Sequence, residues 1–435
     1  MAIIGVNFPQ TRDARHAKLI EIKSTGTPVS TVKVPGHGSL NVYRIPLEYL
    51  SYNPYNTRFL AQAKTLETRI GRTLSDENEE DIREIEKFIW DYKKDKNDNT
   101  IASLIKEGQL QPGVVTPSGV ILSGNRRFRL INEIQRNYQK YSKPGINLDG
   151  LNYFEAAILD DELNEKQIRK YESFYQYGNE DKVEYDPIQK YLAAKEQKDL
   201  GYDEQEIADN FLTLTDGKKS QVVEWLAEYE LMEEYLEYIG EPGIYTALET
   251  REEAFINLYK TLKSFKQGKA GKGIWAFDEM DLEQLKFRYF DYIWLNQATH
   301  DFRDFKKIFS DKVRWEVFNG KVKKFVNETQ IESLDEYRES HPDETESQIS
   351  KVRENDYKQS MGKELNKAFG EEKAVIVNRE TEETPWKLIE QIEEQIAKLE
   401  KAIDSGTKDV VESEEFYQKV KGLMSLIGHV KQRLD

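Results

Sequence analysis

Apolar residues recur along this chain with two periods, and the switches between them outline its elements. Val42-Tyr43-Arg44-Ile45-Pro46 alternates apolar and polar positions and predicts a short strand. Between residues 74 and 96, Ile82, Ile85, Phe88, Ile89 and Tyr92 return at helical spacing through a charged run, so they form one face of an amphipathic helix. Asp76, with Glu79 three residues on, is its expected N-cap. Val114, Val115, Val120, Ile121 and Leu122 predict strands, and Phe128, Leu130, Ile131 and Ile134 a helix running to about Tyr138. Phe154 to Leu159 reads as another strand, and Asn164 as the cap of a helix carrying Ile168, Tyr171, Glu172 and Tyr175. Short strands mixed with helices predict an α+β domain over 41–183, preceded by an irregular arm at 1–40 rich in Gly, Pro, Thr and Ser.

Beyond residue 184 only the helical period persists. Ile207 and Ala208, a linker containing Gly217, then Val222, Trp225 and Leu226 outline a helix-turn-helix within 184–245, an ordinary helical hairpin being the alternative. Residues 246–327 carry a dense aromatic series from Phe287 to Trp315, whose near-helical spacing predicts core rather than a base-stacking surface. Residues 328–384 are charged and poor in large apolar groups, which predicts weak helices or partial disorder. In 385–435 two apolar stripes, Leu388 to Ile403 and Phe416 to Val430, flank Ser405-Gly406 and predict a helical hairpin. About two heptads per helix are marginal alone, so a second copy of the chain is the expected cover and a further protein partner an alternative.

Composition narrows the chemistry. At 435 residues the chain exceeds one ordinary core, and 33% charged against 38% hydrophobic residues suits a helix-rich protein. A net charge of −16 confines any nucleic-acid contact to a local surface. The absence of cysteine removes disulfides, thiolate nucleophiles and cysteine-held zinc, and the five histidines lack metal-ligand spacing. No apolar run or leader pattern points to a membrane, so a cytoplasmic location is expected, nucleoid-associated when DNA is bound.

One stretch concentrates the candidate chemistry. After the strand ending in Ser123-Gly124, the residues Asn125-Arg126-Arg127 open a helix. Amides at a helix start have no intrahelical acceptor and hold anions, and two forked guanidiniums beside them suit phosphate. A surface turn with solvated arginines is the alternative. Upstream, Asn53-Pro54-Tyr55-Asn56-Thr57 fixes a turn that sets Arg58 at a defined place.

Three strings, in order, carry a resemblance: Asn53 to Arg58, then Glu107-Gly108-Gln109-Leu110-Gln111-Pro112, then Ser123-Gly124-Asn125-Arg126-Arg127-Phe128-Arg129. Followed by a helical domain, they resemble the ParB family of chromosome and plasmid partition proteins over roughly residues 42–240. The resemblance implies a ParB/sulfiredoxin-like nucleotide-binding fold followed by mostly helical domains, and a CTP-dependent clamp on DNA. Gly108, Gln109, Leu110 and Gln111 would line the base pocket. Arg58, Ser123, Gly124, Asn125, Arg126 and Arg127 would complete the nucleotide site. Glu172 would hold the Mg²⁺ that bridges the phosphates and is the candidate catalytic group, with Glu180, Asp181 and Glu184 as rivals. Lys218, Lys219, Ser220 and Gln221 would meet DNA at the start of the second helix of the helix-turn-helix. The sequence departs from the family pattern at Asn125 (Glu in the family), Ser173 (Asn) and Gln176 (Arg), which leaves CTP or ATP open and favours binding over turnover. Sulfiredoxin chemistry needs a cysteine the chain lacks. The expectation is a dimeric, nucleotide-dependent clamp or regulator on double-stranded DNA in a partition, phage or defence setting. The alternative is an enzyme on the same fold: a slow nucleoside triphosphatase, a nuclease or a nucleotide-dependent kinase.

Overall fold

A computed structural model of the chain describes residues 8–144, 146–177, 187–269, 274–297, 302–329, 331–405 and 412–433. A mixed α/β region comes first and a long, mostly helical region follows. The first comprises α1 (Arg12–Thr25), β1 (Ser30–Val34), β2 (Gly38–Pro46), β3 (Ser51–Tyr52), α2 (Leu60–Ile70), α3 (Glu79–Asp91), α4 (Asn97–Glu107), β4 (Gly113–Val115), β5 (Val120–Ser123), α5 (Asn125–Arg136), α6 (Tyr138–Tyr141) and β6 (Tyr153–Ile158). Its six strands lie in the order β1-β2-β6-β4-β5-β3. The β6–β4 and β5–β3 pairs are parallel and the other three antiparallel.

Side chains alternate across this sheet. Ile45, Val115, Ile121, Phe154 and Ala156 pack with α1, α3, α4 and α5. Val42, Val114, Leu122 and Ala157 face the other way, under Ile168 of α7 (Glu165–Tyr177). Asn164 caps α7 as expected, accepting from the Gln167 N–H at 2.9 Å.

Two expectations for the N-terminal region are corrected. Residues 12–25, expected as part of an irregular arm, form α1, capped by the Thr11 hydroxyl. Only Leu19 and the partly buried Ile22 face the core, too few apolar positions for the period to be seen. Asp76 is not the cap of α3; Asn78 is, accepting from the Glu80 and Asp81 amides. Asp76 instead pairs with the fully buried Arg15, while its carbonyl accepts from Ser51 Oγ at 2.7 Å.

The helical region comprises α8 (Ile188–Asp199), α9 (Glu204–Asn210), α10 (Leu212–Thr215), α11 (Lys219–Tyr238), α12 (Glu252–Lys266), α13 (Glu279–Trp294), α14 (Phe302–Ser310), α15 (Lys312–Glu328), α16 (Leu334–Ser340), α17 (Glu346–Ser405) and α18 (Glu414–Gln432). One hydrophobic core runs from Leu60 of α2 to Phe369 of α17, so the boundaries expected near 245 and 327 fall inside a continuous core. The aromatic series is core, with Tyr289, Phe290, Tyr292, Phe302, Phe305, Phe309 and Trp315 buried. Residues 346–377, expected to be weakly structured, are the packed half of α17: Ile349, Tyr357, Met361, Leu365 and Phe369 are buried at the spacing of successive turns, with buried Arg353 in the turn between Ile349 and Tyr357. Past Ile376 the helix leaves the core, and its stripe is exposed at Trp386, Leu388, Ile389, Ile392 and Ile396. The stripe of α18 is exposed at Leu423, Met424, Leu426, Ile427 and Val430. Among the described residues no helix is long and apolar enough to cross a membrane.

Candidate functional site

The sharp entry into α5 begins with Gly124. It adopts φ +106°, which L side chains rarely adopt, and a Cβ there would lie 2.8 Å from Cζ of the buried Phe154 ring. Gly124→Ala is therefore expected to destabilise the protein by about 2–4 kcal/mol in chemical denaturation, from backbone strain and overpacking together. Because Phe128 N–H makes the first intrahelical bond, to the Gly124 carbonyl, the amides of residues 125–127 precede the helical ladder.

Those amides open onto a cavity of ≈ 580 Å³. Its lining brings together Arg58, Gly108, Leu110, Gln111, Ser123, Gly124, Asn125, Arg126, Arg127 and Glu172, from strings far apart in sequence. Gln109 is outside the lining. Its side chain donates to the Glu155 carbonyl and accepts from the Glu155 amide at 2.9 Å, so it pins the Gly108–Gln111 segment to β6. Lys218, Lys219, Ser220 and Gln221 stand on or beside the first turn of α11, also outside it. Lys218 pairs with Asp216 at 3.0 Å and Lys219 with Glu204 at 3.3 Å.

Asn125 has a structural part to play. It is buried, its Oδ1 accepts from the Asn53 amide at 3.1 Å, and its Nδ2 donates to the Ile121 carbonyl at 2.8 Å. The Asn53–Thr57 turn is thereby tied to the strand–helix junction. Within the turn, Asn53 Oδ1 accepts from the Tyr55 amide and Asn56 Oδ1 from the Arg58 amide, both at 3.0 Å. This directs Arg58 into the cavity.

The arginines differ in their support. Arg126 donates to Asn97 Oδ1 at 3.0 Å and Thr100 Oγ1 at 3.2 Å, both on α4, while its Nε is buried without a partner. Arg127 has a buried Nη1 with no hydrogen-bond partner, and meets no carboxylate among the described residues. Burial, and then the charge of Arg58, lower the pKa of both; Arg127 falls to about 10, so it stays charged at neutral pH.

Glu172 is the one carboxylate of the described lining. Its Oε2 accepts from Asn53 Nδ2 at 3.1 Å and its Oε1 from the Thr57 amide at 3.3 Å. Burial raises its pKa to about 7, against the lowering effects of Arg58 and these hydrogen bonds. A carboxylate at the cavity wall fits a Mg²⁺ held mainly by phosphate and water. Among the described residues no group of three or more His, Cys, Asp or Glu could hold a metal by itself. Ser173 is buried and accepts from Gln197 Nε2 at 2.7 Å, turned from the cavity into the α7–α8 contact. Glu180, Asp181 and Glu184 lie outside the described residues, as does the side chain of Gln176.

Sequence reasoning missed part of the lining: Asn56, Tyr92, Lys93, Lys96, Thr100, Ser103 and Tyr175. Tyr92 was expected on the apolar face of the preceding helix, but that helix ends at Asp91 and Lys93 turns the chain at φ +55°. A lysine in a charged run gives no sign of such a turn. No family profile, curated protein or solved structure matches the chain.

Proposed function

We propose that this chain is a ParB-like protein that binds a nucleoside triphosphate, CTP or ATP with Mg²⁺, in the cavity at the start of α5, and that the bound nucleotide controls a dimeric hold on double-stranded DNA. The observation that carries the nucleotide half is Arg127, a largely buried cation without a partner among the described residues, beside Arg58, Arg126 and a helix N-terminus. An isolated buried charge is costly, and mutual repulsion among three guanidiniums adds to the cost, so the arrangement favours an anion that completes it. A polyphosphate spans several donors at once, whereas a carboxylate or single phosphate engages one or two. Gly108, Leu110 and Gln111 would receive the base, with Gln109 fixing their backbone, and Mg²⁺ beside Glu172 would offset phosphate charge.

The exposed apolar stripes of α17 and α18 support the dimer, and the α9–α11 arrangement, with its four polar residues at the start of α11, supports the DNA contact. Of the two roles, binding is favoured over turnover because both oxygens of Glu172, the one carboxylate among the described lining residues, already accept protein hydrogen bonds. Calorimetric titration of the full chain with CTP and with ATP, each with Mg²⁺, should give saturable 1:1 binding per chain to at least one. Retention on closed circular DNA should change when that nucleotide is added. Failure of both triphosphates to bind would remove the reading.

A further inference from the structure

Cations in this acidic chain are commonly matched by carboxylates, as Lys218 and Lys219 are. One surface of the helical region departs from that habit. Along α12 and α14, Lys260, Arg303 and Lys306 meet no carboxylate among the described residues, and Lys260 and Arg303 are exposed.

The surface is rigidly built. Phe265 of α12 packs edge-on to Phe309 of α14 with ring centroids 4.8 Å apart, and Phe309 packs on Trp315 of α15 at 5.0 Å. Trp275 Nε1 donates to the Phe309 carbonyl at 2.7 Å, closing an aromatic knot beneath the two helix ends. On α14, Lys306 reaches across to Ser264 Oγ of α12 at 3.0 Å, which sets it beside Lys260, one turn before Ser264 on the same side of α12. Arg303 precedes Lys306 by three residues and lies on the same side of α14. Buried Phe302, Phe305, Ile308 and Phe309 form the opposite side, leaving that outward face polar.

We propose that this α12–α14 face is a contact surface for the phosphate backbone of double-stranded DNA, and that it supplies more of the DNA affinity than the start of α11. The argument is one of charge. Affinity for a duplex comes from cations that release counterions when they meet phosphates, and a lysine already held by a carboxylate contributes less to that release. In a chain of net charge −16, unmatched cations on a polar, preordered face are where a polyanion gains most. Backbone contact of this kind positions a duplex without reading its sequence.

The inference rests on the DNA half of the reading above and is independent of the nucleotide half. The test uses the full chain, a fluorescent duplex of mixed sequence, and anisotropy titrations over a series of salt concentrations, with and without CTP or ATP. Lys260→Glu/Arg303→Glu changes only exposed residues and should lower duplex affinity at least ~10-fold. It should also flatten the log-affinity against log-salt slope by about 2, each lost phosphate contact being worth about 0.9. Lys218→Glu/Lys219→Glu should have the smaller effect on both. An unchanged affinity and slope in the α12–α14 variant, a larger loss in the α11 variant, or no duplex binding by the wild type would each overturn the proposal. Nucleotide-induced thermal stabilisation, measured on the same samples, tells these outcomes from failure of the nucleotide site, since it should survive in both variants.

Discussion

Arg127→Met should abolish nucleotide binding while leaving the ligand-free protein as stable as the wild type, or more so. Arg127 is largely buried, with no carboxylate against it among the described residues and with Arg58 nearby raising the cost of its charge. Replacing an unpaired buried charge by an apolar group of similar length removes a desolvation penalty, and such exchanges are neutral or stabilising by about 1–4 kcal/mol. With a polyphosphate bound, the same guanidinium makes charge-assisted hydrogen bonds in a partly dry site, each worth about 1.5–3 kcal/mol. Loss of one or two of them weakens binding ~100-fold or more. Thermal melts with and without Mg²⁺–nucleotide give both readouts: the unliganded transition stays or rises, and the ligand-induced shift vanishes. Arg127→Lys keeps the charge and loses the fork, so it should fall between. Binding within threefold of wild type in the Met variant would sink the idea that Arg127 awaits an anion.

The second large effect belongs to Glu172. Its folded pKa of about 7 lies above its ordinary value of 4.5, with burial the main cause. Folding therefore favours the protonated acid. As pH rises from 4.5 the unfolded chain loses this proton first, so the contribution of Glu172 to stability is full below pH 4.5. It is lost across the window up to about 7, by about 3 kcal/mol in all. Asp291 and Glu228, whose pKa values burial raises to about 6 and about 7, shift stability in the same direction. The comparison must thus be with Glu172→Gln rather than with a single wild-type curve. Gln keeps one acceptor for the Thr57 amide and meets Asn53 Nδ2 with a donor, which costs about 1–2 kcal/mol at every pH. The wild-type advantage in urea denaturation should be largest at pH 5 and gone or reversed at pH 8. A difference flat in pH would mean that Glu172 does not titrate in this window.

Much of the site was legible because its pieces are local. A glycine ending a strand, two arginines opening a helix, and an Asn-Pro turn followed by Arg58 each bear their chemistry in a few adjacent residues. The same local reading gave no sign of what Gln109 and Asn125 hold together: Gln109 is bound along β6, outside the lining, and Asn125, at the cavity wall, also joins two loops distant in sequence. Lys93 and Lys96 escaped notice for the converse reason: they enter the cavity only because the chain reverses at a lysine of positive φ.

Periodicity by itself determined most helices and strands after residue 41, the buried aromatic series, and the two C-terminal stripes, since burial on one face requires apolar residues at the period of the element. Charge by itself determined that a polyanion could be met only locally. Tertiary structure alone decided that α1 exists, that the helices from α8 to the first half of α17 share one core, and that Arg127 has no acidic partner among the described residues. Each of these depends on pairings between distant residues, and no period or spacing within one segment carries information about what lies opposite it.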